Sequence, residues 1–355
     1  MVSATTPAQA AAPPPSPPAD ERLVRRSAVA RLLARPEMGA VVGAVAVFAF
    51  FATVAPVFTQ LSSVATVLYG ASTIGIMAVG VSLLMIGGEF DLSTGVAVVF
   101  SALTAAQFSW FLGTNVWVGV GVALVVSLGL GFLNGYLLIV TRLPSFIVTL
   151  ATFLMITGVN LGVTRLVAGG VSSPSIAAMD GFESARSVFA AKISFLGVRW
   201  DVTVIFWLAL VVVATHLLVR TRVGNWIFAA GGDDLAASAV GVPVVRTKIG
   251  LFMGVGLCAW LLGMHNLFAF GTVQSGEGVG NEFLYIIAAV IGGCLLTGGY
   301  GSAVGGALGA LIFGMVNKGI VYAQWNPDWF KFFLGLMLLV ATIVNLVVKK
   351  RAEQR

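Results

Sequence analysis

From Met38 to the C-terminus the chain is a train of apolar runs, each close to the length a helix needs to cross a bilayer. A spanning helix takes about 20 mostly apolar residues. By that measure the sequence divides into ten segments: 38–58, 64–86, 92–112, 115–140, 146–166, 201–220, 247–270, 283–298, 301–322 and 329–348. Composition agrees, since only 10% of the residues are charged and 58% are hydrophobic. A soluble domain carries about 25% charged residues to cover its surface. The expected fold is therefore an all-α integral membrane protein, a polytopic bundle with broken or half helices where glycine pairs and acidic residues interrupt the runs. Soluble enzymes, disulfide scaffolds and disordered proteins are excluded.

Residues 1–37 read differently. The Pro- and Ala-rich stretch AQAAAPPPSPPADE cannot bury a core and is expected to be a disordered tail. Arginines 22, 25, 26, 31 and 35 precede the first apolar run, which is too long and too far from the start for a cleaved signal peptide. With an even number of spans, Arg142, Arg220, Arg222, Arg246, Lys248 and the Lys349-Lys350-Arg351 cluster fall on the same side as those arginines. Lys and Arg collect on the cytoplasmic side, so both termini are expected inside a multi-pass protein. Residues 38–355 then form one transmembrane domain, with an internal loop at 221–246 and an external one at 167–200. The net charge of +6 reflects this orientation signal and not a nucleic-acid surface.

Three features carry polar chemistry, and a fourth shapes helix packing. In GGEFDLS (87–93) two carboxylates lie beside hydrocarbon, where they cost several kcal/mol unless solvated or paired. Asp91 is placed to cap a helix starting at Leu92, whereas Glu89 points to a polar cavity or a local backbone bond. Ser93, Asn134, Thr149, Thr152, Asn160, Gln274, Glu282 and Asn317 are scattered within spans. Their hydroxyls and amides suit an uncharged, hydroxyl-rich solute better than an ion, although helix bundles also use such groups as glue. In the internal loop, Asp233-Asp234 can cap a short helix running to Val240, and Gly241 and Pro243 stop it. Such a helix suits a rigid lever for an attached protein. Gly301, Gly305 and Gly309 recur every four residues, a seam for close helix packing.

Other chemistry is missing. No G-x-x-x-x-G-K-[ST] loop, H-E-x-x-H or paired-Cys motif occurs, so no catalytic residue, cofactor site or metal site is assigned. Cys258 and Cys294 sit in apolar runs as small packing residues, and His216 and His265 as packing or interface residues. Active transport would need an ion gradient or another polypeptide. A membrane-embedded enzyme has no nucleophile–base pair to work with. An ATP-independent secondary carrier or channel for a small polar solute is the alternative, disfavoured by the internal lever and the lack of an intramembrane proton relay.

Several segments together resemble the permease subunit of bacterial ABC sugar importers of the ribose/galactose/xylose type. GGEFDLSTG (87–95) is similar to that family's G-[IE]-[DF]-D-L-S-x-G, and Asn134-Gly135 followed by LPSFIVTLAT (143–152) to its N-G … P-P-F-I-V-T-L-[GA]-T. GNWIFAAGGDDLAASAVGV (224–242) resembles its cytoplasmic loop, and residues 280–314 its glycine-rich C-terminal region. The resemblance implies import of a monosaccharide or related polyol across the bacterial plasma membrane. It further implies a second permease copy, a cytoplasmic ATPase and an extracytoplasmic sugar-binding protein as partners. Gly224, Gly231, Gly232, Asp233, Asp234, Ala236, Ala237 and Gly241 would then carry ATPase coupling, and the polar intramembrane residues would line the path. The loop departs from the family at Asn225, Phe228 and Asp233-Asp234, and the later region at Leu284 and Cys294-Leu295-Leu296.

Overall fold

The computed structural model describes residues 37–353, with side chains to Ile343. The tail expected over 1–37 lies, apart from Glu37, outside them. Ten helices correspond to the ten apolar runs: α1 (Met38–Val54), α2 (Leu61–Ile86), α3 (Thr94–Leu112), α4 (Val116–Thr141), α5 (Ser145–Ala168), α7 (Val202–Arg220), α10 (Val244–Phe270), α11 (Asn281–Ile291), α12 (Ala303–Tyr322) and α13 (Phe330–Glu353). Three shorter ones lie between them: α6 (Phe182–Phe189), α8 (Arg222–Gly232) and α9 (Asp234–Ala239). Seven of the described helices are long and apolar enough to cross a bilayer. α1, with 17 residues, and α11, with 11, are shorter apolar helices. At 1.5 Å per residue α11 is roughly 16 Å long, about half the hydrocarbon thickness. The run at 283–298 is thus not one helix: Gly292 and Gly293 end it, and residues 294–302 are irregular.

The bundle repeats a motif. α2 and α10 are its two long central helices, and each is followed by a break and then a shorter helix, α3 or α11. α4 packs along α10, and α12 packs along α2. The N-terminal ends of α3 and α11 meet, because a side chain at Gly95 would collide with the Gly278 carbonyl and the Glu282 carboxylate. Only glycine permits that approach.

The main core centres on α2, where Ile76, Met77, Leu84 and Ile86 are fully buried. A second cluster joins α6 to the C-terminal end of α10 through Phe182, Phe189 and Phe268. Beside it, within 167–200, lies a feature the apolar pattern did not announce. β1 (Lys192–Phe195) and β2 (Val198–Asp201) form an antiparallel hairpin. Its two-residue turn, Leu196-Gly197, has positive φ at both positions (53° and 74°), which matches the twist of paired strands. α8 and α9 lie at the opposite end of α10. α5 and α7 expose most of their apolar surface, as lipid- or partner-facing helices must.

Candidate functional site

The site is built where α2 breaks. Gly87 and Gly88 close the helix, with the Gly87 amide bonded to the Leu83 carbonyl, that of Gly88 to Met85, and that of Glu89 to Leu84. Gly88 takes the left-handed conformation (φ 84°) that this termination requires. The chain then runs irregularly to Thr94. Asp91 does not cap a helix at Leu92 as the sequence suggested: α3 starts at Thr94, its N-cap is Ser93, and Asp91 acts one step earlier. Its Oδ1 accepts from the Ser93 amide (2.7 Å) and the Ser93 hydroxyl (2.6 Å), and Asn134 Nδ2 donates to that same hydroxyl (3.1 Å). The short Asp side chain satisfies the turn itself, leaving Ser93 to begin the helix.

A break leaves backbone amides without helical partners, and at membrane depth neighbouring hydroxyls must pair with them. α5 supplies these. Ser145 Oγ accepts from the Phe90 amide and Thr149 Oγ1 from the Leu92 amide, each at 3.1 Å. Further along α5, Asn160 Nδ2 donates to the Val96 carbonyl (3.2 Å), and Gln107 Nε2 on α3 donates to Thr164 Oγ1 (2.6 Å). Ser145, Thr149, Thr152, Asn160 and Thr164, with Ile156 filling the one gap of eight residues, share a buried face, while Phe146, Leu150, Leu154 and Met155 face outward. α5 is therefore polar inside and apolar outside. Thr152 bonds only within its own helix. Asn134 Oδ1 and Asn160 Oδ1 are buried without a hydrogen-bond partner among the described residues. Between α3 and α5 a groove of about 270 Å³ is lined by Phe100, Gln107, Phe108, Phe111, Asn160 and Val163.

Glu89 finds a cationic partner: its Oε1 lies 2.6 Å from Lys248 Nζ. Lys248, on the first turns of α10, is also 3.2 Å from Asp234 Oδ2 at the start of α9. Glu89 and Lys248 are only 7% and 9% exposed, so this is a buried pair, whereas Asp234 is half open to solvent. Lys248, counted from the sequence among the cations on one side of the membrane, sits inside α10 with its amine turned into the protein. A backbone junction lies beside the pair. The Gly299 amide donates to the Ile86 carbonyl (2.9 Å), and a side chain at Gly231 would collide with that carbonyl. Gly88, Gly231 and Gly298-Gly299 thus meet main chain to main chain.

In the second break, Glu282 accepts from the Gly280 amide through both oxygens (3.1 and 3.0 Å) and faces the start of α3 at Gly95. Two helix N-termini, each carrying partial positive charge, flank this carboxylate. Neither Glu282 nor Asp91 has a Lys or Arg within 4 Å among the described residues. Gln274 lies in the preceding loop and is exposed, not within a span. His265 is buried, with Tyr69 Oη 3.2 Å from Nε2 and the Phe189 carbonyl 2.9 Å from Nδ1, whereas His216 faces outward on α7. Cys258 and Cys294 are free and buried.

α9 forms where its caps placed it. Asp233 is the N-cap and accepts from the Ala236 amide (2.9 Å), and Gly241 turns the chain away with φ 86°. Ala237 is buried, while Ala236 is exposed, and Leu235 and Val240 are each 81% exposed. Gly224 sits tightly against the Leu217 and Leu218 carbonyls, and Gly232 faces open space. The glycine seam is shorter than its spacing implied. Gly301 precedes α12 and packs toward Cys294, and only Gly305 and Gly309 lie on the helix, against Gly292 and Ala288 of α11.

Sequence reasoning missed Ser145, Thr164, Gln107 and above all Lys248. The first two complete a hydroxyl–amide period on α5 that was readable. Lys248 gave no local signal, since Glu89 lies far away in the chain.

Residues 63–342 match the family model described as the permease component of branched-chain amino acid transport systems. The chain is 28% identical over 311 residues to the ribose import permease protein RbsC of Escherichia coli strain K12, covering 87% of this chain and 93% of that one. It is 28% identical over 302 residues to the fructose import permease protein FrcC of Rhizobium meliloti (83% and 81% covered). It is 30% identical over 320 residues to the probable ABC transporter permease protein YphD of Escherichia coli strain K12 (90% and 92% covered). No solved structure matches. A polytopic helical chain whose polar groups serve two broken helices, and whose sequence matches this family over most of its length, belongs to the transport-system permease components.

Proposed function

We propose that this chain is the membrane subunit of an ATP-driven importer that moves a monosaccharide or related polyol across the bacterial plasma membrane. About ten segments cross, with both termini inside, α3 and α11 as partial helices, the loop at 221–246 cytoplasmic and that at 167–200 extracytoplasmic. A separate ATPase docks on residues 224–242, a binding protein delivers solute from outside, and a second copy of the permease completes the path. The solute class is supported by ribose, fructose and xylose import among the relatives' names. It is also supported by the two unpartnered amide oxygens and the aromatic groove, which suit hydroxyls and the apolar face of a sugar ring.

The observation that carries the coupling role is α9. It is a capped six-residue helix, it presents Leu235, Ala236 and Val240 outward, and the adjoining Gly231 is locked against the end of α2. Exposed apolar side chains on a rigid protrusion fit a cleft in a partner. A push on α9 is thereby delivered to the break. Co-expression of a tagged permease with its ATPase tests this reading. Wild-type protein retains the ATPase through purification and Ala236→Glu loses it while remaining in the membrane fraction, whereas equal retention would overturn the docking assignment.

A further inference from the structure

We infer that Lys248 is a positioning residue for transport, a tether that converts displacement of α9 into displacement of the α2–α3 break. The inference rests on the docking role proposed for 224–242 and adds to it the group through which the motion passes.

A lysine in the first turns of a spanning helix ordinarily extends its amine to the membrane surface. Lys248 instead turns inward and gives its amine to two carboxylates from different parts of the chain. Breaking a buried pair by removing one partner is strongly destabilising, so Lys248 and Glu89 move together. Asp234 is half exposed, so its bond to Lys248 is the weaker of the two and is where α9 engages or releases the break. The lysine therefore holds one permanent partner on the break and one exchangeable partner on α9.

The connection continues beyond Glu89. The next amide, that of Phe90, is held by Ser145 and that of Leu92 by Thr149. Asp91 between them organises Ser93 at the start of α3. A shift of α9 thus meets an unbroken series of bonds running from Asp234 through Lys248 and Glu89 to α3 and α5. Energetic coupling between distant sites is carried by networks of this kind when an element has two arrangements. The backbone contacts at Gly231 hold the start of α9 beside the break, and the ion pair adds a side-chain link between the two.

The test uses the complete importer (permease, ATPase and binding protein) in proteoliposomes, measuring ATP hydrolysis and uptake of labelled ribose, fructose and xylose in parallel. Lys248→Met is expected to retain the ATPase and hydrolyse ATP within about twofold of wild type while uptake falls about tenfold. Lys248→Arg, which keeps the charge, is expected to recover most of the uptake. Because Lys248→Met leaves Glu89 buried and unpaired, Glu89→Gln/Lys248→Met is made beside it, and the same uncoupling is expected there. Uptake at the wild-type ratio to hydrolysis in the double variant overturns the inference. A parallel fall of uptake and hydrolysis in both variants also overturns it, since that marks a structural role. A wild-type permease that binds no ATPase instead defeats the docking assignment, a separately visible result.

Discussion

Replacing Thr149 with valine removes one oxygen and almost no volume, and the structure states what that oxygen does. It accepts the Leu92 amide, which lies in the irregular stretch between α2 and α3 and has no helical carbonyl to turn to. Thr149 is fully buried, so water does not replace the lost partner. An orphaned buried donor costs about 1–3 kcal/mol, while interhelical hydrogen bonds in membrane proteins average about 0.6 kcal/mol and reach roughly 1.7. The expected loss is therefore about 1–2 kcal/mol, a shift of about five- to thirtyfold in the unfolding equilibrium. Thr157→Val is the control. Its hydroxyl bonds only the Phe153 carbonyl four residues back on the same helix, and a helical carbonyl there keeps its backbone amide. Denaturant unfolding of the two variants in one detergent, followed by tryptophan fluorescence, makes the comparison. Equal stabilities would refute the reasoning that α5 exists to pair the amides of the break.

Four further outcomes follow from the same contacts. Glu89→Ala removes the buried partner of Lys248, leaving only Asp234, and is expected to impair uptake far more than Cys258→Ala, which trims a free, buried packing thiol; equal uptake would separate Glu89 from transport. Gly231→Val drives a side chain into the Ile86 carbonyl, and overpacking of this kind costs about 1–3 kcal/mol, so a lower thermal midpoint is expected and an unchanged one would deny the backbone junction. Charged, bulky residues at both Ala236 and Ala237 are expected to abolish uptake with the protein still in the membrane, and normal uptake would remove the coupling assignment. The purified chain alone is expected to hydrolyse no ATP, because the sequence holds no phosphate-cradling loop; turnover without a partner would contradict this.

How far the sequence reached depended on the range of each interaction. α9 was legible because its signals are its own residues: Asp233 before it, Gly241 and Pro243 after it. The Gly87-Gly88 pair marked the break after α2, since a chain leaving a helix left-handed needs glycine at Gly88. Helix starts were less legible. Asp91 and Ser93 are both good capping types, and which one begins α3 is settled by α5, whose Thr149 holds the intervening amide. α11 was read too long because the apolar run continues past Gly292-Gly293, and composition cannot show that the chain turns there. Lys248 was invisible for a deeper reason. A cation near a helix start reads as a surface anchor, and only the fold brings Glu89 within 2.6 Å of it.

The central claim is that this permease moves a sugar only when an ATPase acts through 224–242. Proteoliposomes holding the purified chain with its binding protein, with and without the ATPase, and loaded with ATP on the ATPase side, measure it directly. Accumulation of labelled ribose, fructose or xylose that appears only when ATPase and ATP are both present is the predicted result. Equal sugar entry without the ATPase would contradict it and identify the chain as an independent carrier or channel.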